Sequence, residues 1–170
     1  MTIKFLPLHA TSPYLMDAVH IYNEYISAEL AYQEHFFRTH MRRPGYAGLV
    51  AQMDEVIVGV AFGSDSLNGQ WWHDRVATHV GDEHPALQNA WVLTQLNILA
   101  EYRNRKIGAQ LHDAIIAKQS QANLLLSTQV ANHAAQRFYK RHGWSVLHDG
   151  FIFSSGDEPY KILNKTITKC

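Results

Sequence analysis

The residues best placed to do chemistry lie in the run Leu96-Asn97-Ile98-Leu99-Ala100-Glu101-Tyr102-Arg103-Asn104-Arg105-Lys106-Ile107-Gly108-Ala109. Its pattern is a buried strand, a tight polar turn and a helix start. The unpaired amides of a helix start, reinforced by the helix dipole, bind anions. Gly108 and Ala109 keep the first turn free of bulk, and Arg103, Arg105 and Lys106 add positive charge. A diphosphate would suit this place, although the same residues would also make an ordinary basic surface turn. Further along stands Asn132-His133-Ala134-Ala135-Gln136-Arg137-Phe138-Tyr139-Lys140-Arg141-His142-Gly143-Trp144. Tyr139, beside Phe138, reads there as an aromatic at the edge of the core.

The elements that must hold these residues follow from periodicity. Ile3 to Leu8 reads as a strand, and Ser12-Pro13 as a helix start capped by the serine hydroxyl. Leu15, Val19, Tyr22 and Ile26 give that helix one apolar face. A second helix is expected over Ala31 to Thr39, ending before Pro44-Gly45. Two strands follow, Ala47 to Gln52 and Val56 to Ser64, the second β-branched and almost continuously apolar as a buried strand should be. Asp65 to Gln88 reads as a connector with one strand around Arg75 to Val80. Its Trp71-Trp72 pair is assigned to the core edge, with the lining of a binding pocket as the alternative. Ala90 to Leu99 and Leu124 to Val130 are strands, separated by a helix from Lys106 to Gln121. A helix over Ala134 to His142 stops at Gly143, which suits a left-handed cap. Trp144 to Phe153 and Tyr160 to Thr168 close the chain as strands. With no repeat or linker, residues 1–170 read as one mixed α/β domain.

Composition excludes several classes. Hydrophobic residues make up 46% and charged residues 18% of the 170 residues, a globular balance. Lysine plus arginine and aspartate plus glutamate both number 15, so no basic excess points to nucleic acid or an anionic membrane. The single cysteine, Cys170, allows no internal disulfide, which fits a reducing cytoplasmic setting. No signal peptide or spanning segment is expected. His73, His79 and His84 lack the spacing of a helical metal pair and have no cysteine partner, so no metal is expected.

Taken in order, the two chemical segments resemble the GNAT superfamily of acyl-CoA-dependent N-acyltransferases. The family's phosphate loop, Gln/Arg-x-x-Gly-x-Gly/Ala, is matched by Arg103 and Gly108. Its later motif, Asn-x-x-Ala-x-x-Phe-Tyr-x-x-x-Gly-Phe/Trp, is matched by Asn132, Ala135, Phe138, Tyr139, Gly143 and Trp144. The convincing match runs from about Ala90 to Leu147. It implies a twisted, mostly antiparallel sheet of six to seven strands flanked by about four helices, with two central parallel strands splayed apart.

The resemblance also implies roles. Leu96, Asn97 and Ile98 would bond the acyl and pantetheine part of acetyl-CoA. Arg103 would open the loop, and the amides of Asn104, Arg105, Lys106, Ile107, Gly108 and Ala109 would hold the diphosphate. Asn132 would contact the pantetheine arm, and Tyr139 would act as general acid at the sulfur. The expected activity is transfer of an acetyl group from acetyl-CoA to a primary amine of a small molecule or peptide, by direct attack in a ternary complex. A non-catalytic acyl-CoA-binding module and a transferase for longer acyl groups are the alternatives, and a homodimer is compatible with the resemblance.

Two positions depart from the family. Lys106 stands where the first loop glycine is usual; a left-handed backbone there would strain it by about 1–2 kcal/mol, whereas a helical one would not. Ser127 stands where some members carry a glutamate base. Glu101, Asp74, His79 and His133 are further candidates, and no base is assigned.

Overall fold

The computed structural model describes residues 2–167. Met1, Thr168 and Cys170, to which parts of the sequence reading refer, lie outside the described residues. Strand order in the seven-stranded sheet is β1-β2-β3-β4-β5-β7-β6. These strands are β1 (Ile3–Pro7), β2 (Ala47–Met53), β3 (Val56–Ser66), β4 (Ala90–Ile98), β5 (Asn123–Gln129), β6 (Ser145–Phe151) and β7 (Tyr160–Thr166). The helices are α1 (Leu15–Asn23), α2 (Leu30–Met41), α3 (Trp71–Val80), α4 (Ile107–Ile116) and α5 (His133–Arg141). The mixed α/β class and mostly antiparallel sheet are as expected.

By contact density the chain divides into two compact units, each discontinuous in sequence. One is the chain up to Ser64 with Leu93–Gln119, and the other is Asp65–Val92 with the chain from Ser120 onward.

In the first unit, β1 pairs antiparallel with β2, and β2 with β3. Leu15, Ala18, Val19 and Tyr22 of α1 form a stripe at helical spacing and are buried with Phe37, Val50, Val60 and Phe62. The rings of Phe37 and Phe62 lie 4.8 Å apart, and those of Tyr22 and Phe36 stack at 5.4 Å. Ile107, Leu111 and Ile115 give α4 its buried face. Close approach of strands is built into β3 by Gly59. A Cβ there would stand 2.4 Å from Ile98 Cδ1 and 3.2 Å from the Asn97 carbonyl oxygen.

In the second unit, β5 pairs antiparallel with β7 along its whole length, from Asn123 opposite Thr166 to Gln129 opposite Tyr160. The parallel ladder between β4 and β5 joins only Ala90 with Asn123, Trp91 with Leu124 and Val92 with Leu125. Val76 and Ala77 of α3 are buried with Leu125, Phe151, Phe153 and Ile162.

Four expectations on elements need correction. Arg75 to Val80 is not a strand but part of α3. His73, Val76, Ala77 and Val80 fall on one helical face, and tertiary burial of Val76 outweighs the β preference of tryptophan and valine. The helix count is therefore five. Ser12 does not cap α1, which begins at Leu15 with Tyr14 at the cap position. Its hydroxyl instead donates to the Pro7 carbonyl at 3.1 Å and accepts from the His9 amide at 2.9 Å. That helix also ends at Asn23, leaving Ile26 half exposed. Finally, α4 ends at Ile116 rather than Gln121, where the Gln119 side chain donates to the Ile115 carbonyl at 2.7 Å and takes the place of a continuing helical amide.

Candidate active site

The candidate residues divide between the two units. Leu96 to Ile98 and Arg103 to Ala109 belong to the first, Asn132 and Tyr139 to the second.

In the first unit, β4 ends at Ile98, a 3₁₀ turn covers Ala100–Tyr102, and α4 starts at Ile107. Asn104 and Lys106 both have left-handed backbones, with φ of 60° and 62°. Lys106 occupies the N-cap position of α4 without a side-chain cap bond. The strained alternative for this lysine is therefore the real one. Reversals of this kind turn successive amides into a concave anion receptor ahead of the helix dipole. Gly108 leaves the first turn open, since an added Cβ would meet only Ile98 Cγ1, at 3.5 Å.

Strain at Lys106 gives a direct expectation. Lys106→Gly relieves about 1–2 kcal/mol of left-handed strain and adds about 0.5–1 kcal/mol of glycine chain entropy. The substitution is expected to raise stability by about 0.5–1 kcal/mol, read as a higher urea midpoint at unchanged m-value. A lower midpoint would contradict the strain argument.

The loop's arginines fold back rather than pointing outward. Arg103 Nε donates to the Ile98 carbonyl at 3.2 Å, and Arg105 Nη2 donates to the Glu101 carbonyl at 3.1 Å. The Arg105 guanidinium lies 5.3 Å from the Tyr102 ring centroid. On β4, the Asn97 side-chain oxygen is buried and has no hydrogen-bond partner among the described residues. An acceptor left so costs stability unless something donates to it.

In the second unit, Asn132 has a local role that the sequence reading did not assign. Its side-chain oxygen accepts from the Ala135 amide at 3.0 Å and caps α5. The helix closes on Gly143 (φ 81°), where the Gly143 amide donates to the Lys140 carbonyl and the Trp144 amide to the Tyr139 carbonyl. Between these caps Tyr139 is held edge-on to Trp144, at 5.7 Å, and to Phe138, at 5.2 Å. Burial pushes its phenol above the ordinary tyrosine value, so the neutral, proton-bearing form is favoured.

Trp72 is partly buried against the core, and its indole nitrogen donates to the Ser127 hydroxyl at 3.3 Å. Trp71, by contrast, is 58% exposed. The assignment of the pair to the core edge thus holds for Trp72, on a helix rather than a strand. Of the base candidates, His79 stacks on Phe151 at 4.0 Å with Nδ1 2.9 Å from the Arg75 carbonyl, and Asp74 accepts from the Gly69 amide. Glu101 is exposed in the 3₁₀ turn and His133 begins α5.

The acetyltransferase (GNAT) family model matches residues 13–144 of this chain. The chain belongs to the GNAT acetyltransferase family. The family typically uses acetyl-CoA as co-substrate. A GCN5-like protein acetyltransferase of Mycobacterium tuberculosis is 31% identical over 121 residues, covering 65% of this chain and 59% of that protein. The match thus spans under two thirds of that relative's length. Among solved structures, a GNAT family acetyltransferase of Bacillus cereus superposes with a TM-score of 0.72 at 12% identity, covering 99% of this chain and 100% of the other. The ribosomal-protein-S18-alanine N-acetyltransferase of Escherichia coli gives 0.69 at 16% identity, covering 99% and 96%. At these identities the structures establish a shared GNAT fold. No described helix is long and apolar enough to cross a membrane.

One residue of the GNAT loop region escaped sequence reasoning. Tyr25 donates to the Ile98 carbonyl across 73 positions of chain, and no local pattern around it announces that bond.

Proposed function

We propose that this chain transfers the acetyl group of acetyl-CoA to a primary amine by direct attack in a ternary complex. The observation that carries this reading is the loop between β4 and α4, where left-handed Asn104 and Lys106 precede an unobstructed helix start. Amides from Asn104 to Ala109 would hold the diphosphate, with Arg103, Arg105 and Lys106 supplying charge. Leu96, Asn97 and Ile98 would bond the pantetheine part, and the orphaned oxygen of Asn97 suits an amide N–H of that arm. Asn132 would sit beside the same arm while capping α5.

In the proposed reaction the amine nitrogen attacks the thioester carbonyl and the carbon–sulfur bond breaks. The departing sulfur takes a proton from Tyr139, the nitrogen loses one to solvent, and solvent returns a proton to the Tyr139 phenolate, so that each turnover ends with the phenol neutral. Holding both reactants together supplies much of the acceleration. Direct attack is favoured because the sequence contains one cysteine, Cys170, and none within residues 2–167 to carry an acyl intermediate. A cytoplasmic setting and a small-molecule or peptide amine acceptor complete the reading.

Thiol release from acetyl-CoA, measured across a panel of amines, tests it. Amine-dependent release above hydrolysis is expected for at least one acceptor. Release only from longer acyl-CoAs would move the acyl specificity, and CoA binding without release from any amine would overturn the proposed transfer.

A further inference from the structure

Tyr25 follows directly on α1, in the segment 24–29 that leads into α2. Its hydroxyl donates to the Ile98 carbonyl at 2.5 Å and accepts from Arg103 Nη2 at 2.5 Å. Arg103 Nε reaches the same carbonyl at 3.2 Å, closing a small ring of hydrogen bonds. The Arg103 guanidinium carbon also lies 4.9 Å from the Tyr25 ring centroid. On the other side of that peptide, the Leu99 amide donates to the Val58 carbonyl at 3.0 Å. The peptide joining Ile98 to Leu99 is thus fixed through both its oxygen and its nitrogen. Tyr25 is 41% exposed, so filling the core does not explain its placement.

In segment 24–29, Ile26 is 50% exposed, and the segment's other bonds are local. The Tyr25 and Ile26 amides donate to the Tyr22 carbonyl at 2.9 and 3.2 Å, and the Asn23 side chain accepts from the Ala28 amide at 3.2 Å. Gln33 donates to the Ile26 carbonyl from its side chain and to the Glu29 carbonyl from its amide. Immobilising Arg103 therefore immobilises Tyr25 and the chain around it.

We propose that Tyr25 and Arg103 form a latch that couples occupation of the diphosphate loop to ordering of segment 24–29. Both are positioning residues, and this rests on the loop's assignment to CoA above. Coupling of this kind is reciprocal: whatever orders the segment tightens the loop by the same factor. A planar, two-pronged donor is needed at position 103, which lysine cannot supply.

Hydrogen–deuterium exchange with CoA itself as the probe tests the latch. In the wild-type chain, saturating CoA is expected to slow exchange at Ile26 and Ala28 by about tenfold, the ratio one hydrogen bond's free energy gives. In Tyr25→Phe, which keeps the ring and loses the hydroxyl, CoA is expected to protect residues 103–109 as before and to leave 24–29 within about twofold of its unliganded exchange. Arg103→Lys, which keeps the charge but not the planar fork, is likewise expected to lose the CoA-dependent protection of 24–29, with no constraint placed on its protection of 103–109. Equal protection of 24–29 in the wild type and both variants would overturn the latch. Protection of 103–109 but not 24–29 in the wild type would also overturn it and leave the cofactor assignment standing. Protection of neither segment would remove both.

Discussion

Replacing Tyr139 with phenylalanine is expected to lower kcat by about a hundredfold, the scale on which a positioned general acid acts. Acetyl-CoA affinity should stay within about twofold, because the ring remains between Phe138 and Trp144 and only the hydroxyl goes. The pH profile adds a separate check. Burial raises the phenol's pKa above its ordinary 10.0, so the proton stays on through neutral and mildly alkaline conditions. Loss of rate through ionisation of this group must then begin above pH 10.0. The same direction fixes the stability effect. The folded state holds the proton more tightly, so its contribution is complete below the unfolded value and declines as pH rises beyond it. Tyr46, raised by burial as well, acts in the same sense. An unchanged kcat in Tyr139→Phe would remove the general-acid role, and an alkaline limb near neutrality that vanished in the variant would contradict the raised pKa.

Gly108→Asp carries the second large effect, and it separates binding from folding. A Cβ at this position meets only ordinary contact with Ile98, and Gly108 is not among the residues with positive φ. A carboxylate in the first turn of a helix is itself stabilising by about 0.3–1 kcal/mol. Thermal stability should hold or rise. A diphosphate on the same amides would face a like charge at close range, a repulsion of about 4 kcal/mol at 4 Å before salt screening. CoA affinity is therefore expected to fall about a hundredfold by calorimetry. Stability retained with affinity unchanged would place the diphosphate elsewhere.

Strands were the most legible part of the chain. The apolar runs at Val56 to Phe62 and Leu124 to Leu126 allow one reading only, and β3, β4 and β5 lie within two residues of their expected bounds. The helix α3 was obscured because Trp71-Trp72 and Val80 carry β preference, while Gly69 and Gly81 suggest turns on either side. Only packing of Val76 and Ala77 decides between the two periods. At Lys106 the sequence posed the right question, since backbone sign at one residue cannot be read from a lysine. Asn132 shows the opposite failure. An asparagine ahead of a helix is a cap by elementary rules, yet the family motif drew attention to a ligand contact. The bonds of Tyr25 were out of reach, since their partners lie 73 and 78 positions away and one of them is a backbone carbonyl.

The register of β6 has a consequence for how this molecule behaves when crowded. As the last strand of its sheet, β6 exposes one row of backbone donors and acceptors, with Val146 54% exposed beside them. Its pairing with β7 slips between Val146 and His148 and again between His148 and Phe151. A foreign strand searching for a straight template would meet two kinks within one short edge, so runaway fibril growth is discouraged by geometry at this border rather than by charge alone.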